Sequence, residues 1–355
     1  MDAQEGFGSL VALRVKGGEL TALRALSVPE EVRQVQPLLQ FDPDGSAPAS
    51  QLDAIEAVIR DLGKLGRRVM LDASDVAHLP AFGPGPTGAL GEVADRLATP
   101  VDLLDTLAPA TFVPVVRSDI APQAAAALGR LCHELGAGGA LRVRPATANR
   151  AGLERIIRNL ALDPCHIDVI LDLQYVPEAT AAVLDEAATV LRTLAAVGDF
   201  RTTSLLSGSI PRTLAQTSVW EKPRTEEVLW ERLAPDNPTE LRLGDYGTTH
   251  PIPGQGFRSK HVSMKYTCPD HWLYSRERMP DADHQATDSA RARTFRVVCR
   301  HLVESGSFSG PGFSWGDREI LDAASGRGQG FGSTSKPVAL ATSHHLAYLA
   351  TRAAA

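Results

Sequence analysis

Polar residues recur two apart at the ends of short apolar runs: Arg14/Lys16, Gln40/Asp42, Asp72/Ser74, Arg117/Asp119, Arg142/Arg144, Asp172/Gln174 and Ser207/Ser209. The residue between them is usually apolar, as at Val15, Phe41, Ala73, Val143 and Leu173. Strand side chains alternate between faces, so this spacing predicts strands with one polar and one apolar face at their C-terminal ends. The runs themselves are LVALRVK (10–16), VQPLLQFD (35–42), RVMLDAS (68–74), TFVPVVRSD (111–119), ALRVRP (140–145), HIDVILDLQ (166–174), RTTSLLSGS (201–209) and ELRLGDYG (240–247). Helical patterns lie between them. Leu52, Ile55, Ile59 and Leu62 form one stripe over 51–64 behind Ser50, an N-cap type, and 121–136, 150–162 and 177–197 are similarly periodic. Thr225 is placed to cap the helix around EEVLWERL.

Strands alternating with helices predict parallel pairing through right-handed crossovers. Eight such units in about 240 residues match an α/β fold of the (β/α)8 TIM-barrel type, with a doubly wound open sheet as its competitor. Parity favours the barrel. An open sheet covered on both faces has strands that are nearly continuously apolar, whereas a barrel turns one face of each strand end into a polar mouth. Arg142 and Arg144 then both point into that mouth.

Composition sets the class. Hydrophobic residues make up 43% and charged residues 22% of the 355-residue chain, and the net charge is −6. A broad nucleic-acid surface is not expected from that balance, nor attraction to an anionic membrane. No apolar run reaches the ~18–20 residues of a membrane span. The first residues, MDAQEGFGSL, lack the apolar segment of a secretory leader. Cys132, Cys165, Cys268 and Cys299 form no CxxC pair, which argues against a zinc site and fits a reducing cytoplasm.

The candidate chemistry gathers at the mouth. Arg117, Arg142 and Arg144 offer planar forks for phosphate or carboxylate. Asp72, Asp172 and Asp245 are candidate general bases or ligands for a divalent cation, and Lys16 would neutralise developing charge. Ser207 and Ser209 lie in LSGSIPR (206–212), where Ser209 and Pro211 are placed to open a short helix. With Tyr246, bracketed by Gly244 and Gly247, they would line a phosphate site after strands seven and eight. The alternative is an internal ion-pair network with no ligand. His344 and His345 are adjacent on an expected final helix and cannot readily share a metal, which predicts a capping or surface role for one. GRGQGFG (326–332) follows a helix pattern and fails the context of a dinucleotide loop.

After Tyr246 the rhythm changes. VSMKYT (262–267) and WLYSRE (272–277) read as a hairpin, 278–289 as a charged linker, and 290–305 as the eighth barrel helix. Residues 1–247 are thus expected to supply the barrel. Residues 248–355 are expected to form a C-terminal elaboration of hairpin, eighth helix and capping helices on the same domain, with Trp272, Tyr266 and Trp315 in a lid or its core. KGGELTALRAL, LRLGDYGTTHP, the hairpin, FSGPGFSWGDREI and SHHL resemble the beta protein family, whose members occur in phages and scattered bacteria. The resemblance implies a TIM-barrel-like domain with a C-terminal elaboration and imports no reaction. It singles out Lys16, Glu19 and Asp245, and adds Trp315 and Asp317. Glu19 would pair with Lys16 or an arginine across the mouth, and Asp317 would cap REILDAAS. The tail from Ser335 departs from the family pattern, with Lys336-Pro337 where a tryptophan is expected, which weakens any role for it.

Two functions follow as expectations. One is an enzyme, a hydrolase or phosphodiesterase, acting on a small anionic phosphorylated or nucleotide-like ligand. The other is a non-enzymatic recognition or scaffold protein that holds a protein partner, in phage–host conflict or phage defence given the family's distribution.

Overall fold

All eight strands read from the apolar runs form. The computed structural model describes residues 6–26, 29–99, 110–254, 259–280, 288–328 and 330–354. The barrel strands are β1 (Ser9–Arg14), β2 (Val35–Gln40), β3 (Met70–Asp72), β4 (Val113–Arg117), β5 (Gly139–Val143), β6 (Ile167–Tyr175), β7 (Thr202–Gly208) and, after the inserted β8 (Ser218–Pro223), β9 (Leu241–Asp245). They pair in parallel in that order, and β9 returns to β1 through Ser9↔Leu243 and Leu10↔Gly244, so the sheet closes. Closure excludes the open sheet. It also needs a residue without a side chain at 244, where a Cβ would stand 3.0 Å from the Leu205 carbonyl oxygen.

Side-chain parity divides the core in two. Leu10, Ala12, Leu38, Met70, Val115, Ala140, Ile170 and Leu206 fill the barrel interior. Their sequence neighbours Val11, Leu13, Leu39, Leu71, Leu141, Val169, Leu171 and Leu205 face the helices. Each fully buried aliphatic side chain contributes roughly 1.5–3 kcal/mol, so the interior is a packed plug and only the strand ends are free for polar chemistry.

The helix ring comprises α1 (Gly17–Ala25), the short α2 (Pro29–Gln34), α3 (Pro48–Lys64), α4 (Gly88–Ala98), α5 (Pro122–Leu135), α6 (Arg150–Leu160), α7 (Ala181–Ala195) and α8 (Thr225–Leu233). Asn149 caps α6 by accepting from the Gly152 amide at 2.8 Å, and Thr180 caps α7 from the Val183 amide. Two expected caps differ. Helix α3 starts earlier, with Pro48 in its first turn and Ala47 as N-cap, because proline fits the helix start without needing its amide. Helix α8 is preceded by Arg224, and the Thr225 hydroxyl instead donates to the Pro177 carbonyl at 3.0 Å.

The C-terminal third holds β10 (His261–Thr267) and β11 (His271–Arg278), the expected hairpin, followed by α9 (Asp288–Glu304), α10 (Trp315–Ala324) and α11 (Lys336–Ala354). Residues 281–287 of the expected linker lie outside the described residues. No helix opens at Ser209: the chain runs on irregularly to β8, which pairs antiparallel with β11 and makes a three-stranded sheet. The segment expected as the eighth helix is α9, but α9 packs with α10 on β10 and β11 over a separate core of Val262, Met264, Phe295, Val298, Leu302 and Ile320. Helix α11 closes the ring instead. Its Leu346, Leu349 and Ala350 join the barrel–helix core, it packs on α1, and Arg352 bonds Glu227 of α8. Among the described residues no helix is long and apolar enough to cross a membrane.

Candidate functional site

The inward ends of the strands meet at Arg142. Its Nη1 donates to Asp72 Oδ2 at 2.6 Å, its Nε to Asp172 Oδ2 at 3.0 Å and its Nη2 to the Tyr246 hydroxyl at 2.6 Å. Tyr246 in turn donates to Asp172 Oδ1 at 2.6 Å. Turned with its oxygen toward Arg142, the Gln40 amide accepts from the same guanidinium. All five residues are buried. Burial alone would raise the Asp72 carboxyl, but Arg142, Arg117 and the Ser74 amide outweigh it and hold the group below its ordinary range. Tyr246 is held well above its ordinary value, first by burial, with Asp172 adding to the effect against Arg142. An acid so stabilised as carboxylate is a poor proton acceptor. Asp72 and Asp172 therefore fix Arg142, and Arg142 is committed to them.

Around this node the rim is more open. Arg117 Nη2 donates to Asp75 Oδ1 at 2.6 Å. The Arg144 guanidinium, on a side chain 37% exposed, makes no hydrogen bond to the described residues, and its one ion pair among them is with Asp172 at 3.8 Å. Lys16, 43% exposed, is paired with Asp42 at 2.6 Å, and Arg14 Nη2 donates to the Pro251 carbonyl at 2.7 Å. His250 lies tilted against Tyr175 and is held below its ordinary value, first by burial and then by the charges of Arg212, Arg14 and Lys265. The rim at His250 is thus electropositive although the chain is acidic.

Glu19, on the first turn of α1, is 3% exposed. It pairs neither with Lys16, which Asp42 holds, nor with an arginine. Burial pushes its carboxyl up to about 7, opposed by its own backbone amide and by the charges of Lys16, Arg14 and Lys265. Lys265 of β10 donates to the Thr248 carbonyl at 3.0 Å, and desolvation pulls it down to about 8.

Asp245 does not join the mouth. Gly244 and Tyr246 take the inward positions, so Asp245 faces the helix layer, where Oδ1 accepts from His345 Nε2 at 2.8 Å and from the Gly247 amide at 2.9 Å. Its Oδ2 lies 3.4 Å from Arg224, a fully buried guanidinium that also faces Glu226 and Glu227. Burial would raise Asp245, but His345 and Arg224 bring it below its ordinary range. Ser207 faces outward as well, and Ser209 lies beside the buried Glu226 carboxyl, whose value burial raises. Carboxylates crowd this corner, which disfavours a phosphate there. Among the described residues no three His, Cys, Asp or Glu side chains are grouped to hold a metal ion, so the cation role drawn for Asp72, Asp172 and Asp245 has no cluster behind it.

A capping or surface role is expected for one of the two tail histidines; both are wholly buried, which removes the surface role. His345 Nδ1 lies 2.8 Å from the Thr267 hydroxyl while its Nε2 serves Asp245. His344 Nδ1 is 2.9 Å from Asp317 Oδ2 and its Nε2 is 2.8 Å from the Thr267 carbonyl, so both ring nitrogens have partners. Asp317 Oδ1 accepts from Tyr266, and Tyr266 stacks on His344 at 3.7 Å. The N-cap of α10 is Ser314, which accepts from the Asp317 amide, so the cap expected at Asp317 lies three residues earlier. Sequence reasoning missed this chain of contacts, whose signal was the set of distant stretches GDYG, VSMKYT, SWGD and SHHL. A search of curated proteins finds no match to the chain. The family model described as Beta protein matches residues 11–351, nearly the whole length over which those stretches are spread, and the chain belongs to that family.

Proposed function

We propose that the chain binds a small anionic, phosphorylated or nucleotide-like molecule at the C-terminal mouth of its barrel, with Arg144 as the principal anion contact and Arg117 beside it. The observation that carries this reading is Arg144 itself: a guanidinium on a rigid strand end, partly exposed and without a hydrogen bond, next to an arginine locked in place. Arg212, Arg14 and Lys265 add positive charge at the same rim. Asp72, Asp172 and Tyr246 hold Arg142 in place beside Arg144. Hydrolysis or phosphodiester cleavage is the reaction class to assay first, because a cationic mouth stabilises charge developing on phosphoryl oxygens.

Thermal unfolding with nucleotides, phosphosugars and dicarboxylates tests the reading. A ligand at a hundred times its dissociation constant stabilises by about 2.7 kcal/mol. The shift should be present in the wild type and lost in Arg144→Ala. No shift with any anion would favour the second reading, recognition or scaffolding of a protein partner. The mutual saturation of Arg142, Asp72 and Asp172 is the observation on that side.

A further inference from the structure

Glu19 is a buried carboxyl whose hydrogen bonding is left to its own backbone amide. It forms no hydrogen bond or ion pair with another described residue, although the charges of Lys16, Arg14 and Lys265 act on it. Each is committed elsewhere: Lys16 to Asp42 at 2.6 Å, Arg14 to the Pro251 carbonyl at 2.7 Å and Lys265 to the Thr248 carbonyl at 3.0 Å. Buried carboxylates in native proteins are normally paired, because an unpaired charge away from water is strongly disfavoured. Four other buried acids obey that rule: Asp72 and Asp172 hold Arg142, Asp245 holds His345 and Asp317 holds His344. Glu19 alone among these five is held in reserve. Its position, one turn into α1 and beyond Arg14 of β1, places it on the mouth side of the barrel, where catalytic groups of this architecture stand.

From this geometry we propose that Glu19 is the proton-exchanging group of the mouth, giving its proton to an oxygen of the bound anion and regaining one afterwards from water, which also attacks phosphorus where an ester bond breaks. The inference rests on the anion-binding reading above and narrows its ligand to one with an oxygen that changes protonation, such as the leaving oxygen of a phosphate ester. The proton balance is simple. A neutral Glu19 carboxyl becomes carboxylate as the ligand oxygen is protonated, and Arg14, Lys16 and Lys265 offset the new charge. Burial raises the Glu19 carboxyl to about 7, within reach of the Lys265 charge, which suits proton exchange at neutral pH. The other ionisable groups close to these cations, Asp42, Asp75 and Tyr246, are paired or buried.

Two measurements on the full chain test it. The first follows the side-chain carboxyl carbon of Glu19 by NMR against pH, assigned by its loss in Glu19→Gln. A midpoint near neutrality supports the proposal, and titration in the ordinary carboxylate range overturns it whatever the mouth binds. The second is calorimetry with sulfate, an anion that does not itself titrate near pH 7, in buffers of different ionisation enthalpy. Wild type should take up protons on binding at pH 7, because an anion beside Glu19 raises its proton affinity. Glu19→Gln should bind sulfate without proton uptake, and Arg144→Ala should lose the binding. Sulfate binding that needs Arg144 but moves no proton, or moves the same number in Glu19→Gln, overturns the role of Glu19 and leaves the anion site standing. No sulfate binding by the wild type overturns the anion site, and the role of Glu19 falls with it.

Discussion

Arg142 and Arg144 leave the same strand two residues apart, yet their removal should have opposite consequences. Arg142→Ala would take the closest cation from Asp72 and Asp172, both at 2% exposure or less, leaving them only Arg117 at 4.0 Å and Arg144 at 3.8 Å. Breaking a buried pair from one side costs about 3–5 kcal/mol, so urea unfolding should show a loss of that order. Arg144→Ala removes a partly exposed group with no hydrogen bond, and its stability should lie within about 0.5 kcal/mol of wild type. Glu19 gives a prediction of opposite sign to the usual carboxylate. Its folded value lies above its unfolded one, so the folded state binds the extra proton between the ordinary carboxylate range and about 7. Stability from this group is present at low pH and lost as pH rises through that window, by on the order of 3 kcal/mol. Lys265, brought down to about 8, acts in a higher window, where stability increases with pH. Glu19→Gln should therefore gain on wild type between pH 5 and pH 7.5 in paired denaturant titrations. Equal stability differences at the two pH values would place the folded-state titration of Glu19 in the ordinary range.

At the level of elements, strand ends were legible because the polar i, i+2 spacing survives in the fold. Arg14, Gln40, Asp72, Arg117, Arg142 and Asp172 all belong to the inward set that parity picks out. Asp245 was misplaced by one residue: glycine at 244 hides the inward position, and Tyr246 carries the parity instead. Strand β8 was illegible because SVWEKP has no period-2 apolar face and depends on β11 for its pairing. The choice of α9 over α11 as the eighth helix failed for a related reason. Both are good helices in sequence, and only packing on α1 and α8 decides which closes the ring. Helix α11 also carries the two buried histidines, so its loss is more than a loss of apolar area. Ending the chain at Ser335 should abolish folding, as it exposes the core at Leu346 and Leu349 and removes the donors that satisfy Asp245 and Asp317. A finer test is His345→Phe, which keeps a ring against Trp272 but takes the hydrogen bond from Asp245. It should cost on the order of 3 kcal/mol in chemical denaturation.

For the whole molecule, the question is whether two hydrophobic cores make two folding units. The sheet of β10, β11 and β8 with α9 and α10 has its own apolar cluster, which taken alone would allow it to melt independently. The contacts between the cores argue otherwise. From Asp317 through His344, Thr267 and His345 to Asp245, each group is buried and bonded to the next, and the path crosses α10, α11, β10 and β9. Arg224 extends it under Trp272 and Tyr348. Separating the cores would leave several charged groups without partners, each costing several kcal/mol in a region closed to water. Unfolding should therefore be a single transition despite the two cores. Trp230→Phe provides the test, because it leaves tryptophan fluorescence to Trp220, Trp272 and Trp315, all in the sheet unit. Fluorescence and far-ultraviolet circular dichroism should then give coincident midpoints in guanidinium. An earlier fluorescence transition would mean that the polar path does not couple the cores, and that the sheet unit opens while the barrel remains closed.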